Sequence, residues 1–414
     1  MKKLFHNKNY SILVIGQIIS LFGSAIQRFS LSLYLLDLTG NASTFANILA
    51  LSIVPVILLA PFAGILSDRA DRQKLMVVLD VLSGLCITVY AFVLFSGHDN
   101  YLIAGSVMIL LSGISTLYQP AVHASIPLIV ADEDLTAANG VVQQVSSLSN
   151  FLGPVLAGVL YGVLGIQAVI ILNGVSFFLS AFLELFLKIP FKKPEEKVAP
   201  LKLFASEMRE SASYLNHENK QVLRLVEASG LYNLFLVPVF TVCIPYIIKV
   251  MLGMSSQVYG VSEGIMAMGM ILGAVFISTR PDFLGIRKIY YVTASMSLFM
   301  CFMSLALLVS TESKGNRYGI LVVMTLGIAA IMAALGIANV IQMTFVQRAT
   351  KPNMLGKVMA FSTAIATMCV PVGQILYGKI VEHLAGHMAG ILFLSGLCTL
   401  LVTLFVRWNV RQIE

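Results

Sequence analysis

Apolar runs of about 20 residues, empty or nearly empty of charge, recur from end to end of this sequence and limit its fold more than any other feature. A run of that length spans ~30 Å of hydrocarbon as a helix, because a helix satisfies its backbone hydrogen bonds within itself. A membrane barrel would need alternating segments of ~10 residues, and none are visible. The composition agrees: 58% of residues are apolar and 11% charged, where a soluble domain has about a quarter charged. The sequence therefore predicts an all-α, polytopic membrane protein. Its first apolar run follows Lys2, Lys3 and Lys8, is too long for a signal core and lacks a small-residue cleavage site. It reads as the first span.

Twelve spans are predicted, near 11–36, 45–66, 75–96, 101–122, 141–164, 166–187, 227–249, 257–279, 289–310, 318–340, 357–380 and 388–406. The division inside 141–187 rests on Gly165 and Gln167 alone. With the N-terminus inside, 22 of the 27 Lys and Arg residues fall on inner segments and four on outer loops. Cytoplasmic loops collect Lys and Arg, so both termini are expected in the cytoplasm. The net charge of +7 then reflects topology and the anionic inner leaflet, and nucleic acid is not an expected partner.

The longest loop divides the chain near its middle. It opens with "FKKPEEK"; then Leu201, Phe204, Ala205, Met208, Ala212 and Leu215 recur at helical spacing, which predicts an amphipathic helix on the inner membrane surface. The expected organisation is a six-helix bundle over 1–188, a linker over 189–225 and a second bundle over 226–414. At an offset of 220, Leu135, Gly153, Leu156 and Gly158 meet Leu355, Gly373, Leu376 and Gly378. Repeated six-helix halves with a site between them near the midplane are one large transporter architecture.

Charge is concentrated in "GILSDRADRQK", at the inner loop between spans two and three. Arg69, Arg72 and Lys74 fit a topology anchor. Asp68 and Asp71 weaken that charge, and Gly64 permits a close helix contact, so the loop also reads as a latch. The five cysteines (Cys86, Cys243, Cys301, Cys369 and Cys398) all lie in apolar runs without metal-ligand spacing, and no metal site is expected.

The same stretch resembles the G-x-x-x-D-R-x-x-R-[KR] signature of the major facilitator superfamily. "YQPAVHASIPLIVADEDL" (118–135) and "MLGKVMAFSTAIATMCVPVGQILYG" (354–378) are similar to its macrolide-efflux branch, among the bacterial drug:proton antiporters. The resemblance implies two pseudo-symmetric six-helix bundles. It also implies a latch in which Asp68 meets the start of span eleven near Gly356 and joins Arg72. "NFLGPVLAG" resembles the exporters' antiporter motif through Gly153, Pro154 and Gly158; a Pro-kinked structural helix explains those residues equally well. Many such antiporters carry an Arg in span four, where this sequence has Leu111.

Charges inside spans are costly and functional by default. Arg28 is the basic residue deep in a span, Glu263 lies about two turns into span eight, and Asp80 about two turns into span three. Arg28 and Glu263 are expected to face a central cavity, with Glu263 the protonatable group; a static ion pair is the plainer alternative. Asp80 is a further coupling candidate, read more readily as part of the latch. Asp37 and Glu184 stand near span ends, where reaching the interface is cheap. Gln27, Tyr118, Gln143, Asn150, Tyr232, Asn233, Asn339 and Gln342 are cavity candidates, although most such residues stitch helices together.

The expected activity is export of amphiphilic small molecules, macrolide-like or multidrug, by proton antiport with alternating access. The proton gradient supplies the energy and no cofactor is needed, since no phosphate-binding loop exists. No His, Ser or Cys cluster suits an enzyme. The alternatives are a dedicated exporter of one siderophore, peptide or lipid, and a non-transporting sensor or assembly protein. Expected partners are the substrate and the bilayer of a bacterial plasma membrane, with the protein a monomer.

Overall fold

The computed structural model describes residues 6–191, 200–280, 283–312 and 317–410. The side chains of Ile65, Asp68, Thr136, Asn353, 200–203 and 310–312 lie outside that description, as does most of "FKKPEEK". Among the described residues there is no strand. The helices are α1 (Lys8–Thr39), α2 (Ala42–Arg69), α3 (Arg72–Phe95), α4 (Tyr101–Ile129), α5 (Leu135–Glu184) and α6 (Pro200–His217). They continue with α7 (Lys220–Phe235), α8 (Ser256–Thr279), α9 (Ile289–Glu312), α10 (Arg317–Ala349), α11 (Pro352–Leu384) and α12 (Met388–Val410).

Ten described segments are long and apolar enough to cross a membrane, so the protein is a multi-pass membrane protein. Two of the ten, Asp132–Glu184 and Met354–Val410, run to 53 and 57 residues, about twice the length a crossing needs. Each is broken once. In α5 the break is Gly165, whose φ of +77° suits a residue without a Cβ. Between α11 and α12 it is the 3₁₀ turn Ala385–His387. Dividing both segments at their breaks gives twelve candidate crossings among the described residues. Several helices outrun their apolar cores: α10 continues to Ala349, nine residues beyond its predicted end.

Contacts gather the chain into two compact units: residues 1–39, 51–203 and 256–261 form one, and residues 40–50, 204–255 and 262–414 the other. In the first unit α1 is central. It packs on α5 at both sides of Gly165: a Cβ on Gly153 would stand 2.7 Å from the Ala25 Cβ, and one on Gly23 2.1 Å from the Ser176 Oγ. A Cβ on Gly158 would stand 2.7 Å from the Gly260 Cα. Tyr10, Met76, Val122, Ile126 and Leu187 fill the core. The start of α1 is tied down by Tyr10, whose hydroxyl donates to the Ala138 carbonyl at 3.0 Å.

The second unit repeats these contacts with the equivalent glycines. A Cβ on Gly373 would stand 2.4 Å from the Leu234 carbonyl oxygen of α7, and one on Gly378 2.5 Å from the Ala46 Cβ. Thus the 220-residue offset is matched by contact geometry. Gly269 and Gly336 bring α8 and α10 to backbone contact. Beyond α7 the chain runs through π-helical turns, Val239–Cys243 and Tyr246–Met251, each following a proline that lacks the N–H a regular helix would use.

The predicted amphipathic helix is α6, but its apolar face is not left to lipid alone. Tyr214 and Leu215 are buried against Val222, Val226, Val346, Met354 and Val358. Glu218 pairs with Lys351 at 2.5 Å and Glu210 with Lys357 at 2.8 Å. Glu218 also holds the Lys351 ammonium above its usual range by hydrogen bonding and charge. The linker helix is therefore clamped to the first turns of α11 and the residue that precedes them.

Candidate functional site

At the charged loop, Asp71 caps α3: its side chain accepts from the Lys74 N–H at 3.4 Å and pairs with the Lys74 ammonium at 3.4 Å. The Arg72 Nε donates to the Ser67 carbonyl at 2.9 Å, across the hairpin. Arg69 closes α2, half-buried. Among the described residues of its own unit, no atom lies within 4 Å of where a Cβ on Gly64 would stand. The same open space surrounds Gly356, near the start of α11. The Asp68 side chain lies outside the description.

A cavity of about 570 Å³ opens within the first unit, lined by α1 to α5. Five of the expected residues converge on it: Gln27, Arg28, Asp80, Tyr118 and Asn150. The Arg28 Nη2 donates to the Asn150 Oδ1 at 3.2 Å. Leu111 also lines it, and among the lining residues the cation is Arg28 of α1. Gln27 is 3% exposed and accepts a hydrogen bond from the Asn173 amide. Gln143 is exposed and lies outside the lining.

In the second unit the expected cavity residues mostly join helices. The Tyr232 and Thr403 hydroxyls meet at 3.2 Å. The Asn233 amide donates to the Ala366 carbonyl at 2.9 Å, and the Gln342 amide to the Ser229 Oγ at 2.6 Å. Asn339 is exposed. Glu263 sits half-buried on α8 in this unit, whereas Arg28 belongs to the first.

Below the cavity the structure brings together a group that the sequence reading divided. Glu184, expected to reach the interface cheaply, is 1% exposed. The turn of α5 that carries it faces α1 and α4, so its carboxylate points inward: Tyr118 donates to its Oε1 at 2.5 Å. The Tyr118 oxygen in turn accepts from the Gln17 Nε2 at 2.8 Å. Asp80 is 2% exposed and is faced by the hydroxyls of Ser20 on α1 and Ser180 on α5, the latter also donating to the Gly16 carbonyl at 3.3 Å. It thus faces the interior of the first unit's helices. One oxygen of each carboxylate, Asp80 Oδ2 and Glu184 Oε2, is buried without a hydrogen-bond partner, and so is the Gln17 Oε1. The missed signal is the flanking sequence, "FLELFL", which leaves Glu184 no polar neighbours of its own.

Nearer the other end of α1, the Asp99 Oδ2 accepts from the Tyr34 and Tyr90 hydroxyls at 2.7 and 3.2 Å, and Asp37 accepts from Tyr161 at 2.9 Å. Tyrosine serves one oxygen of each, and the Asp99 Oδ1 is a further buried oxygen without a hydrogen-bond partner. Among the described residues no group of three or more His, Cys, Asp or Glu side chains could hold a metal ion.

The chain is similar to macrolide efflux protein A of Streptococcus pyogenes, 28% identical over 363 residues that cover 87% of this chain and 86% of that one. It is similar to the protein of the same name from Enterococcus faecalis, 28% identical over 325 residues, covering 78% and 96%. Its fold matches the solved nucleoside transporter NupG with a TM-score of 0.74 at 14% identity, covering 98% and 99%. The family model of the Major Facilitator Superfamily matches residues 13–373. A chain of apolar helices with paired contact glycines, matched by that model over most of its length, belongs to the Major Facilitator Superfamily.

Proposed function

We propose that this protein exports amphiphilic, macrolide-like molecules across a bacterial plasma membrane in exchange for protons. The observation that carries the reading is the similarity to macrolide efflux proteins over 87% of the chain. The cavity supports it: about 570 Å³ is within the usual range for ligand pockets, and a few polar groups stand among apolar walls. Both termini are cytoplasmic on this reading, and the protein acts as a monomeric transporter and not as an enzyme. Energy comes from the proton gradient, without a cofactor.

Alternating access supplies the mechanism. The Asp68 loop is the latch, and a ligand shifts the balance between states only through its different affinity for each. Proton coupling falls to carboxylates within the spans. Glu263 on α8, with Arg28, is one candidate; Asp80 on α3 is the other. The test is accumulation of a radiolabelled macrolide in efflux-deficient cells with and without the protein, repeated with a protonophore. Lower accumulation that the protonophore restores supports antiport export. No change for a macrolide or for a panel of amphiphilic dyes replaces this reading with a dedicated exporter of one natural molecule.

A further inference from the structure

We propose that Asp80 and Glu184 form one proton-binding site, holding a single shared proton that exchanges through the cavity at the Asp80 end. The proposal rests on the proton-antiport reading and names the groups that would carry it.

The two carboxylates project from α3 and α5 into one packed interior: Tyr118, which donates to Glu184, lines the same cavity as Asp80. The groups facing them are uncharged: Gln17 and Ser20 from α1, Tyr118 from α4 and Ser180 from α5. Arg28 lies eight residues beyond Ser20, about 12 Å along the helix, and donates to Asn150. Two bare carboxylates buried in this way repel each other and lose their hydration, so one proton stabilises the pair strongly.

The hydrogen-bond inventory shows where that proton belongs. Tyr118 has one hydroxyl hydrogen. Its oxygen accepts from Gln17, so that hydrogen is committed to the Glu184 Oε1. The Ser20 and Ser180 hydroxyls face Asp80, but the one Ser180 hydrogen is directed at the Gly16 carbonyl at 3.3 Å. The Glu184 Oε2, the Asp80 Oδ2 and the Gln17 Oε1 are left as buried acceptors with no donor. A proton on either free carboxylate oxygen forms an O–H bond that supplies the missing donor. Three open acceptors fall short of the roughly six oxygens that hard cations gather, so the deficit fits a proton better than a metal ion. Asp80 lines the cavity and Glu184 does not, which makes Asp80 the exchanging end and Glu184 the store. On release the proton passes to cavity water and the pair becomes doubly charged.

The test is infrared difference spectroscopy on the full chain in lipid, comparing acid and alkaline buffers at the protonated-carboxyl stretch. The expected result is a titrating band lost in both Asp80→Asn and Glu184→Gln and retained in Glu263→Gln, with thermal unfolding confirming that each variant is folded. If either variant fails to fold, Tyr118→Phe and Ser20→Ala take its place, and each must move the band's midpoint. No titrating band, or a band lost only in Glu263→Gln, overturns the proposal. A band abolished when Na⁺ replaces K⁺ overturns it in favour of a cation site. A pair-dependent band in a protein whose macrolide efflux ignores a protonophore leaves the site standing and removes the antiport reading. Protonophore-sensitive efflux without the band does the reverse.

Discussion

Tyr118 shows how much one side chain can hold in an apolar interior. Its hydroxyl accepts from Gln17 and donates to Glu184, tying α1, α4 and α5 together. Tyr118→Phe strands both partners without leaving a cavity. A buried group left unsatisfied costs about 1–3 kcal/mol, so the variant should be less stable by that margin and unfold at a lower temperature in scanning calorimetry in detergent. Asp71 acts differently. It caps α3 from the surface, and Asp71→Ala should cost about 1 kcal/mol in the same measurement. Its carboxylate thus has a local task as the helix cap. The sequence displayed all these residues, yet it sorted Glu184 wrongly. Distance from a span end says nothing about whether a turn faces lipid or protein.

At the scale of elements, glycines decide which helices touch. Gly158 and Gly260 meet backbone to backbone, so a larger side chain at either has nowhere to go. Gly260→Leu should destabilise by about 1–3 kcal/mol through overpacking, whereas Gly64→Ala should be nearly silent in stability because the space there is open. The pair of measurements tests the distinction between contact glycines and others. The linker helix α6 gives a second case. Its amphipathic pattern was legible from Leu201 to Leu215, but the partner was not. Tyr214 and Leu215 pack on protein, and Lys351 and Lys357 close the clamp. Leu215→Ala should cost about 2–5 kcal/mol locally and speed amide hydrogen exchange across α6 while leaving α1 protected.

For the whole molecule, the charge distribution and the conformational cycle are the relevant properties. The orientation expected from Lys and Arg puts 22 of the 27 on the inner side; on it, a reporter enzyme that works only outside the cytoplasm should be inactive when fused after Glu414 and active when inserted near Lys314. Asp68→Asn should abolish macrolide efflux with unchanged membrane yield, because a latch changes populations and not insertion. Normal efflux by that variant would remove the latch from the mechanism.

The sequence by itself determined the membrane class, the spans and the repeat, since each follows from hydrocarbon thickness, the chain's own hydrogen bonds and a fixed residue offset. It also presented the candidate residues Arg28, Asp80 and Tyr118. Only the tertiary structure decided which of them meet. The rotation of each helix about its axis sets whether a polar side chain faces a cavity, a neighbour or lipid, and packing against several helices at once fixes that rotation. Hence Gly165 could be read as a break from one residue, whereas the Asp80–Glu184 pair, 104 positions apart, became visible only when α3 and α5 were packed together.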